Sequence, residues 1–100
     1  MRTMMALALA ALPAWAAAQD VDAGTTLYDG NCANCHGPAA NGMASFPKLT
    51  GHDAAYLTDR LETYRAGGSV GYNSALMIPN AVDLSDDDIA DVVAYIGSLG

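Results

Sequence analysis

The run Asn31-Cys32-Ala33-Asn34-Cys35-His36-Gly37 decides how this chain reads. Two cysteines separated by two residues, with a histidine directly after the second, form C-x-x-C-H, the pattern of covalent c-type haem attachment. The spacing has a physical reason. Thiols three residues apart on a helical turn reach the two vinyl groups on one side of a porphyrin, and the adjacent His36 presents its imidazole to the iron. Cys32 and Cys35 are the only cysteines in the 100 residues, so both are used and none is left over. Three other chemistries compete and fit less well. A thioredoxin-like redox pair calls for a βαβ context, and no strand pattern precedes Cys32. A zinc site could draw on Cys32, Cys35 and His52, but the second paired element of most zinc ligand sets is missing. A bare disulfide would close so small a loop that it would stabilise little.

His36 is therefore expected to be the proximal iron ligand, with its other ring nitrogen donating a hydrogen bond that fixes its orientation. The sixth ligand lies elsewhere in the chain, and the candidates are Met43, His52 and Met77. Met43 follows His36 by only seven residues and would have to wrap around the porphyrin edge within that span. His52 opens a predicted helix and could make a bis-histidine site, although an exposed or capping role accounts for it as well. Met77 is 41 residues beyond His36, in a segment read as a loop between two helices, which lets the chain pass around the haem and return on its other side. Met77 is the favoured candidate.

Outward from the motif, the composition bounds the answer. The chain is 52% hydrophobic, carries four basic and eleven acidic side chains, and has a formal net charge of −7. That length holds one small domain. The acidic balance argues against nucleic acid and anionic membrane surfaces as partners, and the hydrophobic fraction argues against disorder. The apolar residues are unevenly spread, with fifteen of the 52 in Met1–Ala18. This segment reads as a secretory signal peptide, with Arg2 in the n-region, Met4–Leu12 as h-region and Ala16-Ala17-Ala18 as an A-x-A-like cleavage site. Its apolar run of fifteen residues contains Pro13 and falls short of the roughly 20 a membrane span needs, so no stable membrane insertion is expected after cleavage. Residues 19–100 then form the functional domain. These 82 residues keep Lys48, Arg60 and Arg65 against all eleven acids, a net charge of −8. A chain this small is near the limit at which one core suffices without a staple. Export places it outside the reducing cytosol, in the periplasm.

Three helices are predicted, and the fold class is all-α. The first spans about Val21–Cys32, capped by Asp20 or Asp22, with Gly24 in its interior at a cost of about 1 kcal/mol relative to alanine. The second spans about Asp53–Ala66, with Asp53 as N-cap, Leu57, Leu61 and Tyr64 on one face, and Gly67-Gly68 ending it. The third spans about Asp86–Leu99. Ser85 is its N-cap, Asp86, Asp87 and Asp88 sit where the helix dipole favours acids, and Leu84 and Ile89 fit a hydrophobic staple. Ile89, Val92, Val93, Ile96 and Leu99 form its apolar stripe. Capping explains the acidic run without invoking a docking patch.

In this order the residues resemble a family. Gly24 and Tyr28 precede Cys32-Ala33-Asn34-Cys35-His36-Gly37. Phe46-Pro47-Lys48-Leu49-Thr50-Gly51 and Tyr56-Leu57 follow, then Met77, Leu84-Ser85-Asp86-Asp87-Asp88-Ile89 and Ala94-Tyr95-Ile96. The combination resembles a class I cytochrome c of the bacterial c553/c4-like group, over nearly all of residues 19–100. The resemblance implies a small fold of three main helices around one covalent haem c. It implies that the Pro47 carbonyl accepts the His36 ring hydrogen bond, that Leu49 packs beside it, and that Met77 is the axial methionine. It also implies that the first helix crosses the last where Gly24 and Tyr28 meet Tyr95. One stretch departs from the pattern. Where relatives often place a basic residue just after the second helix, Gly67–Asn73 has no charge, leaving Tyr72, Asn73, Ser74 or solvent to meet the haem propionates.

The expected function is that of a soluble one-electron carrier rather than an enzyme. His/Met ligation leaves no open iron position. The partners are expected to be redox proteins with a basic docking patch, met weakly and transiently. The alternative is the cytochrome subunit of an exported dehydrogenase or oxidase. A haem enzyme or gas sensor would need an open iron and a different place for the motif.

Overall fold

The computed structural model describes residues 20–71 and 73–100. The expected export segment 1–18 lies outside them, as does Tyr72. Five helices are present among the described residues: α1 Val21–Asn31, α2 Ala33–His36, α3 Ala54–Arg65, α4 Ser74–Ala81 and α5 Asp86–Ser98. No strand occurs among them, and the one β-bridge joins Met43 to Phe46 within a turn. None of these helices is long and apolar enough to cross a membrane.

The three long helices start where their local chemistry dictates. The Asp20 carboxylate accepts from the backbone N–H groups of Asp22 and Ala23, which would otherwise have no partner at the head of α1. Asp53 accepts from the Tyr56 N–H at the head of α3. Ser85 and Asp88 form a reciprocal capping box on α5. At the other end of α3, Gly67 takes φ +85°. The N–H of Gly68 reaches the Thr63 carbonyl at 2.8 Å and that of Gly67 reaches Tyr64 at 2.9 Å, the pair of bonds that defines a Schellman stop.

Packing then assembles them. Helix α1 lies across α5 at Gly24, where the two backbones touch. A methyl group built on Gly24 would meet the Asp91 carbonyl oxygen, so only glycine permits the approach. One turn on, the Tyr28 and Tyr95 rings pack at 5.4 Å with a 50° tilt. Asp91 also reaches back to accept from the Asp20 N–H at 2.8 Å, tying the start of α1 to the middle of α5. Tyr28, Leu57, Ile89, Val92, Val93 and Ile96 form the buried core. The stripe on α5 is the seam against which α1 and α3 pack, except that Leu99 at its end is exposed.

Two local features differ from the sequence reading. The first helix ends at Asn31, as expected to within a residue, and past its cap Cys32 (φ −115°, ψ −39°) an additional short helix α2 carries Ala33–His36. The segment expected to be a loop around Met77 is helix α4. Its eight residues are too few for a periodic signal, and Pro79 inside it withholds one backbone N–H. Packing against α3 and burial of Ala81 hold it instead.

Candidate haem site

The attachment motif occupies the joint between α1 and α2. Cys32 and Cys35 are both half-buried and are not joined to each other by a disulfide. His36 closes α2 and is 6% exposed. Its Nδ1–H donates to the Pro47 carbonyl at 2.8 Å, which leaves Nε2 as the nitrogen free to bind a metal. Phe46 sets its ring edge-on to the imidazole at 6.5 Å.

The segment that brings Pro47 back to His36 is folded tightly on itself. Gly42 N–H donates to the His36 carbonyl at 2.8 Å, and Leu49 N–H to the Ala40 carbonyl at 2.8 Å. Gly42 stands at φ +84° with the Phe46 carbonyl oxygen 2.7 Å from where a Cβ would be, so no larger residue fits. The Tyr28 hydroxyl donates to the Gly37 carbonyl and anchors the start of this segment to the core. Burial, together with the nearby Cys32, Tyr95 and Asp29, pushes the Tyr28 phenol up to about 12. The imidazole orientation is thus set by backbone atoms whose places are fixed several times over.

These residues border a cavity of about 340 Å³, within the size range of small-molecule sites. Cys32, Cys35, His36, Pro47 and Leu49 line it, as do Leu57 and Leu61 of α3, Met77 of α4, and Val92 and Ile96 of α5. Of the three candidates for a sixth ligand, Met43 is 46% exposed in the Met43–Phe46 turn and is not on the lining. His52 is on the lining but exposed, and its ring stacks on Tyr56 at 4.4 Å. Met77 is on the lining and half-buried. Two cysteine sulfurs, an imidazole with its second nitrogen already engaged and an apolar wall fit a covalent haem, and a thioether lies on the same lining.

Of the groups expected near the propionates, Asn73 and Ser74 line the cavity, and Tyr72 lies outside the described residues. Arg60 belongs to the site as well, although its residue type alone does not mark it out. Its guanidinium lies over the Tyr56 ring, 4.9 Å from the centroid, and it lines the same cavity. The spacing of His52, Tyr56 and Arg60, four residues apart each time, was the available signal.

A family model described as Cytochrome c matches residues 21–100. The chain belongs to the cytochrome c family. It is 49% identical over 70 residues to cytochrome c-554(548) of Halomonas halodenitrificans, an alignment covering 69% of this chain and 84% of that one. It is 41% identical over 90 residues to cytochrome c-554(547) of Halothiobacillus neapolitanus, covering 82% and 99% of the two chains. It is also 40% identical over 70 residues to a protein of Stutzerimonas stutzeri named thiosulfate dehydrogenase electron acceptor, covering 69% of this chain and 32% of that one. This cytochrome c carries a covalent haem c, for which the Cys32–Cys35–His36 spacing is the attachment motif.

Proposed function

We propose that this cytochrome c is a periplasmic one-electron carrier with His36 and Met77 as the axial ligands of its haem. In this reading Met1–Ala18 is removed on export and residues 19–100 are the working domain. The observation that carries it is the meeting, on one cavity, of the His36 imidazole oriented by the Pro47 carbonyl and the Met77 thioether. The haem, when bound, supplies a one-electron iron couple. Cys32 and Cys35 would hold it covalently, the Pro47 carbonyl would keep the His36 imidazole from rotating, and Met77 would supply the second side-chain ligand. With an imidazole and a thioether both engaged, the iron would have no place for a substrate, and the role would be electron carriage rather than catalysis. A thioether ligand and an apolar wall of Leu49, Leu57, Leu61 and Val92 both favour the less charged reduced state and raise the potential.

The partners are redox proteins. A net charge of −8 on residues 19–100 favours a basic docking patch on them, so added salt slows the reaction. A second reading is the cytochrome subunit of an exported dehydrogenase or oxidase. The similarity to a protein named as the electron acceptor of a dehydrogenase supports it. Co-purification with a larger subunit separates the two.

The ligand assignment is tested by spectra of wild type and Met77→Ala, oxidised and reduced, with and without carbon monoxide. Wild type should not bind carbon monoxide readily, and Met77→Ala should bind it and lose its methionine-type spectrum. Ready binding by wild type sinks the closed-site carrier, and a methionine-type spectrum retained by the mutant sinks Met77.

A further inference from the structure

The cavity that takes the haem has an unusual charge distribution for this chain. Eleven acids outnumber the three cations of residues 20–100, yet none of the eleven lines the cavity. Lys48 and Arg60 do. Arg65 is paired with Asp86 at 2.8 Å, whereas Arg60 has no ion-pair partner among the described residues and rests on the Tyr56 ring. Asp59 lies near it but off the lining, so the side of Arg60 that borders the cavity faces no carboxylate of this chain and is placed to meet an anion of the occupant.

A second group on the same lining has an unmet need. Ser74 is 3% exposed, and its Oγ accepts from the Val70 N–H at 2.8 Å and the Gly71 N–H at 2.9 Å. Those two bonds use both lone pairs of the hydroxyl and leave its proton without an acceptor among the described residues. A hydroxyl buried this deeply donates to something. Its neighbour Asn73 is already committed, since its amide donates to Ser45 Oγ at 3.1 Å.

We infer that Ser74 and Arg60 hold the carboxylates of the haem, Ser74 through its hydroxyl proton and Arg60 as counter-ion. A haem brings two propionates, so the acceptor that Ser74 lacks and the anion that Arg60 lacks are both carboxylate groups of the same occupant. The inference rests on the haem reading of the site. Arg60 then takes the part of a cation after α3, although the stretch Gly67–Asn73 is uncharged. The ionisable groups bordering the cavity are Lys48, His52, Tyr56, Arg60 and Tyr64, besides the attachment residues.

The test reads the carboxylates themselves. Infrared redox-difference spectra are recorded on the holoprotein with haem labelled with ¹³C at the propionate carboxyls, which separates these bands from every side chain. Arg60→Gln should shift the labelled bands and raise the pH at which the protonated form appears by about 1 to 3 units. Ser74→Ala should shift a labelled band and Ser74→Thr, which keeps the hydroxyl, should restore it. Arg65→Gln, which removes the same charge from the same helix, should leave the bands unchanged. Because Ser74→Ala also frees two backbone N–H groups, Arg60→Gln and the threonine variant decide the matter if the alanine variant does not fold. Labelled bands in Arg60→Gln and the Ser74 variants that superimpose on wild type overturn the inference. Absence of covalent haem in purified wild type overturns the haem reading instead, and a pyridine haemochrome assay distinguishes that outcome.

Discussion

A methyl group on Gly24 would collide with the backbone carbonyl oxygen of Asp91. The contact is backbone against backbone, so no side-chain rotation relieves it, and the Tyr95 Cβ closes the same space at 2.9 Å. The fold accepts the helix-weakening glycine because it lets α1 and α5 approach, and that approach places Cys32 at the cavity.

Gly24→Ala should therefore destabilise the protein, even though alanine is the better helix former by about 1 kcal/mol. Overpacking at the crossing should outweigh that gain and leave a net loss of about 1–3 kcal/mol, read from the midpoint of urea unfolding. An unchanged or raised midpoint would show that the helices separate freely.

Tyr28 predicts an alkaline limit to stability. Its phenol is fully buried, donates to Gly37, and is pushed from its ordinary value of 10 up to about 12. A raised folded value means that the protonated form stabilises the fold. That contribution is complete below pH 10 and is lost as the pH climbs through 12, about 2–3 kcal/mol in all. Tyr28→Phe should cost about 1–2 kcal/mol at neutral pH and flatten the decline between pH 10 and 12. Parallel stability curves for the two proteins in that interval would contradict the assignment.

Two alanines occupy left-handed backbone positions, Ala40 at φ 59° and Ala44 at φ 50°. Ala44 is exposed in the Met43–Phe46 turn, so Ala44→Gly should relieve strain and raise stability by about 0.5–1 kcal/mol. Ala40 is fully buried in the core cluster, and Ala40→Gly should gain nothing net, because the lost methyl contact offsets the relief. Thermal midpoints of the two variants should differ in that order.

Arg65 joins the end of α3 to the start of α5 in two ways, donating to the Leu84 carbonyl at 3.1 Å and pairing with Asp86 at 2.8 Å. Asp86 is largely exposed, so the ion pair itself is worth at most about 1 kcal/mol. Arg65→Ala should thus cost more than Asp86→Ala, and only the Asp86 effect should vanish in high salt. Equal losses would mean that the carbonyl bond contributes nothing.

Much of this molecule was legible before its structure. C-x-x-C-H is a covalent signature, and its reading needs only the spacing of Cys32, Cys35 and His36. The helix starts at Asp53 and Ser85 and the stop at Gly67 are equally local, since a cap satisfies backbone groups within four residues of itself. The stripe on α5 follows from the helical period alone. Each of these signals depends on chain neighbours, which the sequence lists in order.

Only the tertiary structure decided the rest. Helix α4 has no periodic signal and a proline inside it, so its existence depends on what it packs against. Ser74 and Arg60 are fourteen residues apart and belong to different helices, and the lining they share exists only once α3 and α4 have met. The Pro47 carbonyl was expected as the partner of His36 only through the family resemblance, because every residue carries a carbonyl and it is the fold that brings this one to 2.8 Å. The family resemblance implied that α1 crosses α5 at Gly24, but the contact with the Asp91 carbonyl spans 67 positions of chain, and local propensity alone counts the glycine as a defect. Local free energies determined where α1, α3 and α5 are helical and where the haem is attached. Burial and the satisfaction of buried polar groups are sums over distant contacts, and they determined which side chains face the haem.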